Sequence, residues 1–577
     1  MSVAPNASID MVIRAGLIAD GLGGPLFEAD IGIQDHQIVQ VGPIIAKGKT
    51  EINAKGLLVT PGFVDVHTHY DGQAVWDSSF APSSWHGVTT VVMGNCGVGF
   101  APVHKHDQQQ LIELMEGIED IPGVALNEGL DWAWESFPQY LDALERRKHD
   151  IDFCAQLPHA ALRLYVMGER AMRLEMATAN DIAQMRGLTT EAIKAGAIGI
   201  TTSRSINHRT SKGDPTFSLL AAEDELMGLA MGLADANAGV MQIICDFEEN
   251  LEQEFEIMRQ LVKKSGRPLS FSLMQKHNRK DGWFYLLEKT AQANAEGLPI
   301  TAQVAPRGIG VLLSLQGSRN IFTECPSYQA ITSLDMDKRI KEMRKPAIKA
   351  RLLKEIMQFS HTRLGRRLTE FSNMFLLEDP PNYNPGFHKS IASLALQQGI
   401  SPLELAYEQM LKDNGKNTLY SPFANYAQGD LNVCEQMIAD PHTVIGLGDG
   451  GAHVALVSDA NFSSFLMTHW ALQEKAFDIG FLIKKQTSDT AKLAGLNDRG
   501  VIAPGMKADI NIIDLKRLSI GTPEMVFDLP AGGRRFLQGA NGYVATIVSG
   551  QAIYLEGQAT GHLPGRLVRG SQAPVHP

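Results

Sequence analysis

Cysteine is scarce in this 577-residue chain: Cys96, Cys154, Cys245, Cys325 and Cys434 are all it has. An odd number at wide spacing is no disulfide framework, which points to a reducing, cytoplasmic setting. Positive charge is short as well, with 52 Lys and Arg against 64 Asp and Glu and a formal charge of −12. Phosphate neutralisation needs a basic face, so nucleic acid is not the expected partner. No stretch approaches the ~18 consecutive apolar residues of a membrane span. The N-terminal MSVAPNASIDMVIRAG carries neither the basic nor the apolar segment of a signal peptide. Glycine, by contrast, is plentiful: 54 residues with no collagen-like period, as suits a long α/β chain with many tight strand-to-loop turns. At 44% hydrophobic and 20% charged residues the composition is too apolar for disorder.

The length suggests roughly three to four units, although one α/β barrel absorbs about 250 residues. The first sixty residues read as short strands broken by Gly and Asp, and a similar texture returns only near the end, in Ala508–Ile513 and Tyr543–Val548. Neither half has strands enough for an independent sheet. The two ends, 1–60 and 500–577, are therefore expected to pair into one small β-sandwich domain. Between them, eight apolar runs alternate with helical patterns: Phe63–His67, Val88–Gly94, Asp152–His159, Ala197–Ser203, Gly239–Asp246, Pro268–Leu273, Pro299–Val304 and Thr443–Gly450. Continuous apolar runs are what parallel strands covered on both faces require. Eight of them in β-α alternation predict a TIM-like (β/α)8 barrel over 61–307 and 443–499, with catalytic groups at the strands' C-terminal ends. The interval 308–442 is too long for one connection. With a basic helical segment at Asp337–Lys354, it is expected to be an inserted subdomain capping the barrel mouth before the last strand.

Pro61-Gly62-Phe63-Val64-Asp65-Val66-His67-Thr68-His69 carries the strongest chemical signal. Histidines two apart at a strand end share one face and deliver two imidazoles to a divalent metal. The alternative is a pair of hydrogen-bonding core histidines. Cys96, in the turn Gly94-Asn95-Cys96-Gly97, is a candidate thiolate ligand, the alternative being a small core hydrophobe. Asp449, in Gly446-Leu447-Gly448-Asp449-Gly450-Gly451-Ala452-His453, is a candidate ligand and base, or else an Asx-turn residue. His453 is a candidate partner of that site.

The Pro61–His69 segment resembles the first barrel strand of the amidohydrolase superfamily, metal-dependent hydrolases that join such a barrel to a β domain made from both chain ends. Gly94–Gly97 resembles the N-acyl-D-amino-acid deacylase branch, where a cysteine there ligates the metal in place of a carboxylated lysine. His159-Ala160-Ala161-Leu162-Arg163 and Ala195–Gly199 are similar to that branch's third- and fourth-strand segments, Gly500–Asp509 to the superfamily's return into the β domain, and Thr560–Leu567 to the deacylases' C-terminal tail. The resemblance implies hydrolysis of a linear amide C–N bond in a small N-acyl amino acid. His67, His69, Cys96 and Asp449 then hold Zn2+, as one or two ions. Asp449 serves as general base and acid while a water activated by the metal attacks the carbonyl.

The chain departs from that pattern at strands five and six, where the branch expects a histidine at each end. Strand five ends in Cys245-Asp246, and His277 lies several residues beyond the end of strand six. Asp246 and His277 are candidate ligands or partners of ligands, and Cys245 reads as core. Candidate substrate contacts are His159, Arg163, Arg204 and Arg307, with Arg209 nearby; an arginine fork would hold a substrate carboxylate, and surface salt bridging is the alternative. The branch's loop tyrosines are absent, which leaves chirality open. A cyclic amide or other non-peptide amide or ester is the second reading, and a metal-free scaffold of the same fold the third. The oligomeric state is open, with a homo-oligomer among the candidates.

Overall fold

The computed structural model describes residues 9–248 and 250–574; the first eight residues of the segment read for a signal peptide lie outside them. Five N-terminal strands (Met11–Ile18, Phe27–Gln34, Gln37–Gly42, Thr50–Asn53, Leu58–Pro61) and four C-terminal ones (Ile510–Ile513, Tyr543–Val548, Gln551–Leu555, Gln558–Ala559) form one nine-stranded sheet. The seam is antiparallel, with Val59 opposite Ile512 and Pro61 opposite Ile510. Inward-facing Ile13, Ile31, Ile33, Val59, Ile510, Ile512 and Ile547 bury a core of their own there. A two-sheet sandwich was the expectation; the nine strands are instead joined by hydrogen bonds into one sheet. The reason is that Met11–Ile18 changes partner midway, pairing with Thr50–Asn53 through Arg14 and with Leu58–Pro61 from Leu17 on. The shift falls at an irregularity where Ala15 adopts φ +53°.

The middle of the chain is α/β and parallel. Phe63–Asp65, Val88–Met93 and Asp152–Ala155 pair in sequence order, as do Leu157–Pro158, Gly199–Arg204, Val240–Cys245, Leu269–Ser272, Ile300–Val304 and Thr443–Ile445. Gln156 carries the chain from one sheet to the other, and a parallel bridge joins Thr68 to Gly450. Every residue of Val88–Met93 is buried, as burial on both faces demands. The last expected run, Thr443–Gly450, stops as a strand at Ile445. Beyond it Leu447, Asp449 and Gly451 take left-handed φ of +61°, +47° and +87°, which no strand accommodates.

The intervening helices start and stop where local chemistry directs. Ala179–Ala195 opens on a capping box between Thr178 and Asp181 and closes at Gly196. The basic segment at 337–354 is two helices, Met336–Met343 and Pro346–Phe359, because Pro346 removes the donor that would continue the first. Residues 308–442 bury a separate apolar cluster that includes Phe322, Leu352, Ile356, Tyr407 and Leu419. Their three-stranded sheet, Ile309–Leu313, Phe375–Leu376 and Leu419–Ala424, is antiparallel. One feature was not legible in the sequence: a hairpin, Glu524–Leu529 with Gly533–Leu537, leaves the terminal sheet. It reaches the loop after the last parallel strand, where Phe536 N donates to Val454 O and Gln538 Oε1 accepts from Ser458, and Gln538 Oε1 also accepts from Tyr383 of the 308–442 segment. Among the described residues no helix is long and apolar enough to cross a membrane.

Candidate metal centre

His67 and His69 leave the end of the Phe63–Asp65 strand flanking Thr68, whose hydroxyl donates to Val92 O at 2.8 Å. Both imidazoles are about 1% exposed. His67 Nδ1 lies 2.7 Å from Gln303 Oε1, an atom that only accepts, so Nδ1 carries the proton and Nε2 keeps its lone pair. Gln303 is itself held by its amide on Ser270 Oγ at 3.0 Å. Cys96 sits in the turn after Val88–Met93 at φ +55°. Asn95 Nδ2 ties that turn to Thr68 O and Val92 O at 3.1 and 2.9 Å. Asp449 joins from the loop after Thr443–Ile445, its backbone N–H on His67 O at 3.1 Å.

These placements converge. The donor atoms of His67, His69 and Cys96 lie within 4.8 Å of one another. Cys96 Sγ is 3.4 Å from His67 Nε2, and Asp449 Oδ1 is 3.4 Å from His67 Nε2 and 3.6 Å from His69 Nε2. Ligands at about 2.0–2.3 Å from a tetrahedral cation stand roughly 3.3–3.7 Å apart. The spacing and the imidazole, thiol and carboxylate donors therefore fit a divalent cation. Charge is polarised to match. Burial pushes Asp449 up, but its bond to His69 and the charges of His67, His69 and His453 outweigh burial and hold it far below the usual carboxylate range. Burial lowers His67, with Asp449 partly opposing, and raises the Cys96 thiol to about 11 against the pull of His69.

The turn around Cys96 depends on Gly94, which has φ +83° and whose added Cβ would sit 2.4 Å from Gln156 O. Gly94→Ala is expected to cost about 1–3 kcal/mol of backbone strain and to displace the thiol. A lowered melting temperature together with lost metal uptake checks this, and unchanged values for both refute it.

The other residues singled out in the sequence are placed elsewhere or committed to internal partners. Asp246 accepts from Ser205, Ile206 N and Lys276 at 3.0, 2.7 and 3.2 Å, tying two loops together. His277 Nδ1 meets Asn373 at 3.4 Å, and Cys245 is buried. His159 spans Thr202 and Glu225 at 2.8 and 2.9 Å, and Arg163 joins the same carboxylate at 2.7 Å. Arg204 is bidentate on Glu254 at 2.6 and 2.7 Å. Arg307 pairs with Asp459 at 2.8 Å under the ring of Tyr383, and Arg209 donates to Ile206 O and Gly213 O. A guanidinium taken from water needs such partners, so the structure engages these arginines internally where a fork for a substrate carboxylate was expected. His453 faces the buried Glu119, which also faces His69. Neither Gln303 nor Glu119 was singled out in the sequence: one is an interior strand residue, the other the last residue of the helix Gln108–Glu119, and no local pattern marks either.

The amidohydrolase family matches residues 50–554, and the chain belongs to that family. It is a hydrolase acting on carbon–nitrogen bonds other than peptide bonds. Its similarity runs to the deacylases of N-acyl-D-amino acids. N-acyl-D-aspartate deacylase of Alcaligenes xylosoxydans xylosoxydans is 24% identical over 571 residues, spanning 97% of this chain and 95% of its own. Two solved structures share the fold. One is N-acyl-D-glutamate deacylase of Bordetella bronchiseptica, complexed with zinc and a phosphonate inhibitor (20% identity, 98% of this chain and 100% of the other, TM-score 0.66). The second is a D-aminoacylase described by one-metal activation and second-metal attenuation of its binuclear center (21% identity, 98% and 100%, TM-score 0.66).

Proposed function

We propose that this chain is a metal-dependent amidohydrolase cleaving the linear amide bond of a small N-acyl amino acid. The observation that carries the reading is the convergence of the His67, His69 and Cys96 donor atoms within 4.8 Å of one another, with Asp449 Oδ1 3.4 and 3.6 Å from the two imidazole Nε2 atoms. These four residues would hold one divalent ion, and nitrogen, sulfur and carboxylate donors together favour Zn2+. When bound, such an ion polarises the substrate carbonyl and keeps Cys96 as thiolate. The proton work falls to Asp449, which is ionised in this setting. A carboxylate oxygen takes a proton from the attacking water and returns it to the leaving nitrogen; the amide C–N bond breaks, and a carboxylic acid and an amine result. Among the described residues nothing comparable is offered for a second ion around Val240–Cys245, where Gln242 bonds Ser272 and Asp246 serves Lys276. The D-aminoacylase activated by one metal supports a single-ion reading.

The parallel strands are read as one closed (β/α)8 barrel over 61–307 and 443–499. The Thr68–Gly450 bridge and the His69 N to Gly450 O bond at 2.8 Å support closure between first and last strands. On this reading 1–60 with 500–577 form the β domain and 308–442 a cap. Five free, buried cysteines support a reducing, cytoplasmic location. One specific observation favours a second substrate class, a cyclic or other non-peptide amide: Arg204 and Arg307, the residues that would receive a substrate carboxylate, already have internal partners.

One experiment addresses both readings. Metal content of the purified protein is measured by mass spectrometry, and N-acyl-D-amino acids, N-acyl-L-amino acids and cyclic imides are assayed before and after chelation. The expected result is one ion per chain, with activity on the linear amides lost on chelation and regained with Zn2+. Activity untouched by chelation overturns the mechanism, preference for the imides selects the second class, and a protein that binds no ion is a scaffold.

A further inference from the structure

Glu119 is a buried acid without an obvious reason to be where it is. It ends the helix Gln108–Glu119, and its side chain is 1% exposed. Among the described residues neither carboxylate oxygen has a hydrogen-bond partner. Burying a carboxyl group that makes no hydrogen bond is costly, so its immediate neighbours matter. Two groups face it: His69 Nδ1 at 3.3 Å from Oε1 and His453 Nε2 at 3.7 Å from Oε2. His69 Nδ1 is itself without a hydrogen-bond partner, its contact with Glu119 falling outside bonding angles, while the ring's Nε2 points to Asp449 at 3.6 Å. His67 offers the comparison, because its Nδ1 already rests on Gln303 at 2.7 Å. The two histidines thus each present Nε2 to the cluster and Nδ1 to a buried acceptor. One acceptor is an amide oxygen and the other a carboxyl oxygen.

The end of that helix is held in place from three sides. Ser211 N donates to Glu113 O at 2.8 Å, so the loop after Gly199–Arg204 lies along the helix. A Cβ on Gly117 would meet Arg209 O at 2.2 Å, so contact with that loop is close. Ser318, from the 308–442 segment, donates its hydroxyl to Asp120 Oδ2 at 2.6 Å, one residue beyond Glu119. His453 N donates to Glu119 O. The three anchors belong to separate connections, and only their packing aims the side chain.

We propose that Glu119 is a positioning residue of the metal centre, a carboxyl oxygen accepting from His69 Nδ1–H to fix Nε2 toward the ion. The inference rests on the single-ion reading above. Carboxylates behind metal-bound histidines act in this way elsewhere, and their loss weakens metal binding about 10–100-fold.

The test titrates metal-stripped protein with Zn2+ against a chromophoric chelator, and with Co2+ read by its visible absorption. Glu119→Gln keeps an acceptor and removes the charge; Glu119→Ala removes both. The expected result is weaker Zn2+ binding in both variants, by about 10–100-fold in E119A and by less in E119Q. A changed Co2+ spectrum is expected too, while the melting temperature of the metal-stripped protein is unchanged or raised, since a buried carboxyl without hydrogen-bond partners has gone. A purely structural role would lower that melting temperature and leave the Co2+ spectrum alone. Glu119→Asp, which retains the charge at shorter reach, replaces either variant that does not fold and is expected to bind between parent and E119A. Parent-like affinity and spectrum in these variants overturn the proposal for Glu119 alone. A parent protein that binds neither ion overturns the single-ion reading and this inference with it.

Discussion

Asp449→Asn is expected to lower kcat about a hundred- to ten-thousandfold, the range for a lost general acid–base group, while leaving the protein folded. The substitution is nearly isosteric, and the backbone N–H of residue 449 still reaches His67 O. What disappears is the ability to take a proton. Burial alone would favour the neutral acid, yet the bond to His69 and the charges of His67, His69 and His453 keep Asp449 ionised. A carboxylate flanked by two imidazoles at 3.4 and 3.6 Å is poised to accept, and an amide in the same position is not. Steady-state kinetics on an N-acyl amino acid, with a thermal melt as control, decides the matter. An asparagine variant turning over at the parent rate would remove Asp449 from the proton path.

Asp152→Asn addresses stability at the opposite ends of the parallel strands. Asp152 is fully buried and receives Arg499 Nη1 at 2.7 Å and Lys507 Nζ at 3.1 Å. Lys507 also pairs with Asp509 at 2.6 Å, and Arg499 donates to Thr90 at 2.9 Å. The network ties the start of one parallel strand to the segment that leads into the terminal sheet. Removing its charge leaves Lys507 with Asp509 and Arg499 chiefly with Asp498, a loss of up to about 3–5 kcal/mol, the range for breaking a buried pair. The deficit should appear as an earlier denaturation midpoint in urea at neutral pH. Burial pushes Asp152 up, but Lys507 and Arg499 outweigh it and leave its pKa depressed. A depressed carboxylate contributes its stability in full above the unfolded value of about 3.9 and loses it as pH falls through the folded one. The gap between parent and variant should therefore narrow on acidification. A neutral-pH midpoint equal to the parent's would show that the network adds nothing.

Much of this architecture is local in origin. Val88–Met93 and Val240–Cys245 are apolar throughout because both faces of a parallel sheet are covered, and a run of that kind is visible in one dimension. His-x-His is legible for the same reason: a period of two on a strand puts both rings on one face whatever surrounds them. The Gly-Asn-Cys-Gly turn shows too, since the left-handed conformations of Gly94 and Gly97 call for residues without a Cβ. The limits are equally physical. Thr443–Gly450 looks like one strand, but Asp449 is in the site because the chain turns left-handed after Ile445. Arg204 and Arg307 look like open forks; Glu254 lies 50 positions on from the first and Asp459 far beyond the second. Only the fold makes them neighbours.

The sequence by itself therefore determined the strand order and the parallel α/β class, written in spacings of two to ten residues, while the amidohydrolase character came from the resemblance of its motifs to that family. Tertiary structure decided which side chains back the histidines, which arginines are taken, and that the terminal strands join in one sheet with a hairpin reaching toward the last loop. Gln303 reaches His67 across 236 positions, and Glu119 meets His69 from the end of an unremarkable helix. A buried hydrogen bond or charge contact is set by where separate elements pack, and no local pattern encodes it.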